Sequence, residues 1–336
     1  MKLSLLRGNG LKKNIIFDLN NDANRDNCFA PYVLMKEVFY GYGIQVNTAD
    51  VIQNRSISFE LHQDIQFKTQ ATINYLLMFE TGFVKIEHNN FNFFSRYKKI
   101  FTWNDDLVDG NRFIKINFPN PIQVHPVDGF KNRNRFCCLI AANKTLAVVD
   151  GRDLYLERVK TIRWFEKNAP TDFDLYGIGW HIPAWGRGKL GKLLRRLFGS
   201  LSKLIPIKPF PSYRGKVEHK KEVLTNTRFA ICYENVKDLP GYITEKIFDC
   251  FFSGCIPVYW GANNITDYIP ANCFVDRRQF EDHEALYYFL KAITEAEFKG
   301  YQQHISDFLQ SDKAYPFSAD FFAKTIVETI VNDLGS

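Results

Sequence analysis

Apolar residues in this chain fall into short runs, and polar, Gly- or Pro-containing stretches separate them. In the first third, Asn14–Phe17, Ile44–Val46, Ser56–Leu61, Tyr75–Phe79, Lys99–Trp103 and Arg112–Phe118 are runs of strand length, and Pro31–Tyr42 repeats with helical spacing. Tyr75–Phe79 is unbroken and stops at a Gly turn, the mark of a strand buried on both faces. Strands alternating with helical stretches predict an open, mostly parallel sheet. A Pro119-Asn120-Pro121 break and a polar stretch to Arg135 read as a linker.

A second series follows. Phe136–Ala141, Asp174–Trp180, Arg228–Glu234 and Cys255–Tyr259 read as strands. Leu154–Asn168 reads as a helix with Leu154, Val159, Ile162 and Phe165 on or near one face. Thr244–Ser253 is a helix stopped by Gly254. Ala285–Leu290 and Phe322–Leu334 are helical, the latter with Phe322, Ile326 and Ile330 at i, i+4, i+8. The pattern predicts two α/β domains, residues 1–133 and 134–336, each built on an open, mostly parallel sheet.

Length and composition agree: 336 residues with 46% hydrophobic content suffice for two cores. The net charge of +6 is concentrated. Arg187, Lys189, Lys192, Arg195, Arg196, Lys203 and Lys208 lie in one acid-free stretch, and the rest of the chain is close to neutral. This excludes a nucleic-acid protein with a broad basic face and favours a local anionic contact. Leu190, Leu193, Leu194, Leu197, Phe198 and Leu201 follow helical spacing within the stretch. The insertion 186–208 therefore reads as a basic amphipathic helix on an anionic membrane surface, touching it through Lys192, Arg195, Arg196, Leu197 and Phe198. A helix packed over the second domain with its basic face in solvent gives the same pattern.

No apolar run reaches signal-peptide or membrane-span length. The expectation is a cytoplasmic protein, peripheral on the inner face of the membrane. Seven cysteines without C-x-x-C pairing read as buried free thiols.

The chemistry concentrates in Arg228–Gly261, which reads strand, loop, helix, strand. In an open α/β sheet, ligands bind beyond the carboxyl ends of the strands. Glu234 and Asn235 stand there, and the helix that starts near Thr244 turns its free N–H groups toward the same place. Lys246 puts a cation in that first turn, where the macrodipole gives it no benefit, so a ligand-facing role explains it better. A solvated Glu-Lys pair on a surface helix is the bland alternative; the convergence of Glu234, Asn235, Tyr242, Thr244, Glu245 and Lys246 outweighs it.

Tyr233-Glu234-Asn235, then Tyr242-Ile243-Thr244-Glu245-Lys246, then Ile256-Pro257-Val258-Tyr259-Trp260-Gly261 resemble glycosyltransferase family 10, the α-1,3/4-fucosyltransferases, of the bacterial type. Tyr233 stands where that family usually has Phe. The strong resemblance covers about Thr225–Phe280. It implies two Rossmann-like domains facing a cleft (the GT-B type) and an inverting transfer of L-fucose from GDP-fucose to a glycan hydroxyl, in surface polysaccharide or lipopolysaccharide assembly. It further implies that Lys246 and Arg214 hold the donor diphosphate, Tyr242 and Glu245 contact the nucleotide, and Glu234 and Asn235 face the sugar. Two cations on the diphosphate would take the place of a metal, so neither metal nor cofactor is expected. The first domain would be the acceptor side. Glu80, after the strand Tyr75–Phe79, is the implied general base, with Glu87 as the fallback.

Three other readings compete. Asp172-Phe173-Asp174 has the spacing of a metal-binding acid pair, a spacing frequent by chance. Gly186–Lys192 fits both G-x-G-x-x-G and G-x-x-x-x-G-K, but Leu193 stands where a P-loop needs Ser or Thr, and no acid follows before Glu218. A transferase using another GDP-sugar, or a non-catalytic membrane-docked protein binding a nucleotide sugar or glycan, would keep much of the same pattern.

Overall fold

The computed structural model describes residues 2–52, 56–146, 150–183, 193 and 208–335. The chain forms two compact units: residues 1–122 with 312–336, and residues 123–311. The strands are β1 (Lys2–Arg7), β2 (Ile44–Thr48), β3 (Phe59–Gln63), β4 (Asn74–Met78), β5 (Lys99–Thr102), β6 (Phe113–Lys115), β7 (Arg135–Ile140), β8 (Phe173–Tyr176), β9 (Tyr213–Gly215), β10 (Thr227–Tyr233), β11 (Ile256–Trp260) and β12 (Val275–Asp276). The α-helices of the described residues are α1 (Ala30–Gly41), α2 (Leu154–Asn168), α3 (Lys220–Leu224), α4 (Glu245–Phe252), α5 (His283–Ala292), α6 (Glu295–Leu309) and α7 (Ala319–Gly335).

The first unit holds a parallel sheet in the order β2-β1-β3-β4-β5-β6. β4 is buried along its whole length, as its unbroken apolar run requires. One face of the sheet is covered by α1, through Tyr32, Met35 and Phe39, and by α7, through Phe322, Ala323, Ile326, Val327 and Ile330. The periodicity of Phe322–Leu334 thus identified a core helix, but not its owner. α7 belongs to the first unit, so the expected division at 133/134 is replaced by one at 122/123 and again near 312. The chain returns because α7 needs an apolar surface, and the β1–β3 face supplies it. Asn120 already bridges to Ser318 at that crossing.

The expected linker is likewise structured. Arg133 is fully buried and donates to the carbonyls of Leu224 and Ser253, at two helix ends, and of Thr227, at the start of β10. Two short elements also differ from the pattern. Asn14–Phe17 is not a strand but a single turn around Ile15–Phe17. The strand at that end of the chain is β1, which was hidden because its apolar positions are few and Ser4 interrupts them.

The second unit repeats the theme, parallel throughout, in the order β12-β11-β10-β7-β8-β9. β10 is central and nearly all buried. Pro257, which has no N–H to give, sits in β11 where β12 has not yet begun to pair, since β12 meets β11 only at Val258 and Tyr259. Six of the seven cysteines are buried free thiols; Cys28 is exposed. The amphipathic insertion 186–208, with Lys192, Arg195, Arg196, Leu197 and Phe198, lies outside the described residues apart from Leu193 and Lys208.

Candidate active site

β10 ends at Tyr233, and the chain passes through Glu234 and Asn235 into a loop that enters α4 at Thr244. α4 is anchored by Ile247, Phe248 and Phe251, all fully buried. Each such side chain contributes roughly 1.5–3 kcal/mol, so the first turn is held against the sheet. Gly254, with φ +63°, ends the helix in the left-handed conformation, as Gly after an apolar run predicts.

Glu234 is 0% exposed and completely engaged. Its Oε1 accepts from the Thr244 amide at 2.8 Å and the Thr244 hydroxyl at 2.9 Å. Its Oε2 lies 2.8 Å from the same hydroxyl and 3.0 Å from Lys246 Nζ. Lys246 Nζ also reaches Thr244 Oγ1 at 2.8 Å. Burial opposes the charge on Lys246, but Glu234 and Glu245 more than offset it and raise the ammonium above its ordinary value. Gly261 closes the back of this arrangement. A Cβ there would stand 2.5 Å from Glu234 Cγ and 2.4 Å from the Tyr259 hydroxyl, so only glycine fits.

The sequence-predicted donor residues Glu234, Asn235, Tyr242, Thr244, Glu245 and Lys246 therefore do converge, in two tiers. Glu234, Tyr242 and Thr244 are buried. Asn235, Glu245 and Lys246 retain exposure. Glu234 was expected to face the sugar; here its carboxylate is buried and faces Thr244 and Lys246. Tyr242 lies beneath as well, and its hydroxyl accepts from Asn235 Nδ2 at 3.3 Å.

Arg214 does not join the group. It is on β9, and β8 and β7 separate that strand from β10, an offset of roughly 14 Å at the usual strand spacing. Its Nε pairs with Asp174 at 2.5 Å, and Asp174 also takes Arg135 from the first residue of β7. The same bridge, together with Asp172 bonded to the Tyr287 hydroxyl and Lys291, accounts for the acid pair as structural. Among the described residues, no group of three His, Cys, Asp or Glu stands close enough to hold a metal ion.

Arg158 of α2 is the site residue that sequence reasoning missed. It is 3% exposed, donates to the Tyr233 carbonyl at 2.6 Å and to Asn235 Oδ1 at 3.2 Å, and lies 4.8 Å from the Tyr155 ring centroid. The signal was an arginine in register with Leu154, Ile162 and Phe165 on the buried face of α2, a place assigned instead to Val159, which is only partly buried. Arg158, Lys220, Lys246 and Asp249 line one cavity together with Ile140 and Tyr233, so three cations face it against one acid. Asp249 accepts from Lys220 at 2.6 Å.

Glu80 stands in the first unit, two residues beyond β4, and is partly exposed. Its turn is fixed from three sides. Asp64 Oδ1 accepts the amides of Phe79 and Glu80 at 3.2 and 3.1 Å. His88 Nδ1 lies 2.8 Å from the Glu80 carbonyl oxygen, and Trp103 Nε1 donates to the Phe79 carbonyl at 2.8 Å. Burial pushes His88 below its ordinary value despite the nearby Asp64, so the neutral ring donates through Nδ1. Glu87, the fallback, sits in the following turn, Ile86–Asn89.

Residues 180–312 match the family model described as "Glycosyltransferase family 10 (fucosyltransferase) C-term". The chain is 31% identical over 98 residues to the Helicobacter pylori α-(1,3)-fucosyltransferase FucT, covering 28% of this chain and 20% of that protein. It is 29% identical over 76 residues to the Arabidopsis thaliana α-(1,4)-fucosyltransferase, covering 23% of this chain and 19% of that one. The matched stretches thus span about a fifth of those relatives. Among solved structures, an α1,3-fucosyltransferase crystallised with GDP-fucose superposes with a TM-score of 0.53 at 14% identity, over 98% of this chain and 90% of that one. Anabaena HepE in complex with UDP gives 0.54 at 9% identity, over 99% and 100%. The two parallel-sheet units are those of the GT-B glycosyltransferase fold, and the sequence match to the family 10 model is confined to residues 180–312.

Proposed function

We propose that a chain carrying the family 10 domain in this setting is an inverting glycosyltransferase that moves L-fucose from GDP-fucose to a glycan hydroxyl. The observation that carries the reading is the Lys246 ammonium, partly exposed in the first turn of α4 beyond the carboxyl end of β10, inside the matched segment. Lys246 would meet the donor diphosphate, with Arg158 and Lys220 adding positive potential along the adjoining cavity. Glu245 and Asn235, the exposed members of the group, would contact the nucleotide and the sugar. As the bond from fucose to the diphosphate breaks, negative charge grows on the leaving GDP, and fixed cations stabilise it most at that moment. Glu80 would take the proton of the acceptor hydroxyl as the new glycosidic bond forms, and its partly exposed place in a turn held by Asp64, His88 and Trp103 supports that role.

The similarity to α-(1,3)- and α-(1,4)-fucosyltransferases supports a fucosyl donor and an acceptor glycan. The place of the reaction in surface polysaccharide or lipopolysaccharide assembly, at the inner face of the membrane, rests on the basic amphipathic stretch 186–208 alone. No helix of the described residues is long and apolar enough to cross a membrane.

Calorimetric titration with GDP-fucose, GDP, GDP-mannose and UDP-galactose, with and without Mg2+, tests the donor. Binding of GDP-fucose and GDP but not UDP-galactose is the expected result. Preference for GDP-mannose or for the UDP-sugar overturns the fucosyl assignment, and no binding to any of the four overturns the donor site.

A further inference from the structure

Glu234 is spent inward at a place where every other argument expects a ligand contact. Its carboxylate takes four contacts of 2.8 to 3.0 Å, two of them from one hydroxyl, and none is left for solvent. Thr244 occupies the N-cap of α4, yet its hydroxyl makes no capping bond to its own helix. A Thr in that position ordinarily accepts from the second or third helical amide. Here the hydroxyl is turned back to Glu234, and Lys246 Nζ docks on both. The cap has been given up, and the ammonium has gained two fixed oxygen partners behind it.

We propose that Glu234 is a positioning residue for Lys246: with Thr244 it fixes the ammonium in the crevice and keeps it charged, and it makes no contact with the donor. The inference rests on the donor-site reading above. The physical need is plain. Lys246 is only 24% exposed, and a half-buried ammonium is costly without an anion. The other charges around it do not supply one dependably. Glu245, on its own helix, lies 3.7 Å away but is 47% exposed and shared with Lys220 at 3.9 Å. Asp249 is bonded to Lys220. Arg158, from α2, and Lys220, from α3, line the same cavity and repel it. Cys232 and Cys250 also line that cavity as free cysteines, and hydrogen bonding with Cys232 and Cys255 raises the Cys250 thiol well above its ordinary value. Glu234 is therefore the anion that holds the charge, and its fixed geometry lets Lys246 meet a diphosphate without first being ordered.

The test is the ratio of GDP dissociation constants, variant over wild type, followed by calorimetry on the full chain from pH 7 to 9. Glu234→Gln keeps the shape and an acceptor for Thr244 but removes the charge. The expected ratio is severalfold at pH 7 and rises to more than tenfold at pH 9, because the ammonium deprotonates earlier in the variant. Glu234→Asp should restore most of the pH-independence. A ratio that stays constant with pH overturns the proposal, since a purely structural defect weakens binding equally throughout. A ligand-independent measurement runs beside it: the pH dependence of Lys246 acetylation, read by peptide mass spectrometry. The labelling midpoint should move to lower pH in Glu234→Gln, and an unmoved midpoint also overturns the proposal. If wild-type protein fails to bind GDP, the donor-site reading falls, and the labelling midpoint still reports whether Glu234 holds the charge. Should Glu234→Gln fail to fold, Thr244→Val removes the shared hydroxyl and is expected to show the same trend more weakly; its absence counts against the proposal.

Discussion

Each unit buries one glutamate completely, and the two differ in what they hold. Glu60, the second residue of β3, accepts from Arg7 at 2.9 and 3.2 Å, faces His62 Nε2 at 2.8 Å and takes the Gln70 amide at 2.8 Å. His62 passes the network on to the Tyr97 hydroxyl at 3.1 Å. Burial works against the Glu60 charge, but these partners prevail and draw it down to about 2. Glu234 is buried as deeply and bonded as fully. Its cationic partner, however, lies in the first turn of a helix beyond a strand's carboxyl end, whereas Arg7 lies on β1, in register beside β3. A buried, fully bonded carboxylate thus marks a folding element or a site with equal ease. Position relative to the strand ends and to a helix N-terminus separates the two, because only there do backbone donors and an open surface coincide.

The comparison breaks or sharpens by substitution, from the largest effect to the smallest. Glu80→Gln should lower transfer by about 100-fold or more while leaving GDP affinity within twofold, since general-base catalysis contributes on the order of 10²–10⁴. Steady-state rates against calorimetry check this, and normal turnover would move the base elsewhere. Glu60→Ala should reduce unfolding stability by about 3 kcal/mol in a denaturant titration, because it leaves a buried cation and histidine without their anion. Its GDP affinity should be unchanged; a lost affinity would join Glu60 to the site. Lys246→Ala should weaken GDP by about 2–3 kcal/mol through the lost charge-assisted contact, and it should also lower the thermal midpoint, because buried Glu234 is left without its cation.

The smallest effect is on acid stability. The Glu60 carboxyl titrates at about 2 when folded against an ordinary 4.5. Its contribution is complete above pH 4.5 and is lost as pH falls toward 2. Glu60→Gln should therefore flatten the stability profile between those values, as followed by circular dichroism. His283 acts in the same direction at higher pH. Burial, with Arg277 nearby, lowers it from 6.5 to about 4, and in its neutral form it shares a 2.8 Å hydrogen bond with Thr161. Stability should fall as pH drops from 6.5 toward 4 and level off below, and His283→Gln should remove that step.

Much of the fold was legible along the chain. Tyr75–Phe79 and Arg228–Glu234 announced buried parallel strands by unbroken apolar runs, and Gly254 announced the end of α4. β1 and β9 were not legible, because three to six residues with a polar interruption carry too little periodicity. Of the candidate site, the strand–loop–helix segment was readable as a unit, since Glu234, Thr244 and Lys246 lie within 13 consecutive positions. The place of Arg214 on β9 was not legible because its position in the sequence says nothing about which strands intervene, and Arg158 was hidden because a charge on an apolar helix face contradicts the pattern that defines the face.

The sequence by itself determined the element types, the two-sheet α/β class, and the group of residues at the start of α4, all of which depend on local spacing and on neighbours a few positions away. Tertiary structure alone decided that α7 crosses back to the first unit, that Arg214 answers to Asp174, and that Glu234 turns inward behind Lys246. Those outcomes depend on which surfaces compete for the same partner once the chain is packed, and a buried carboxylate goes to the cation and hydroxyl that can replace its lost water.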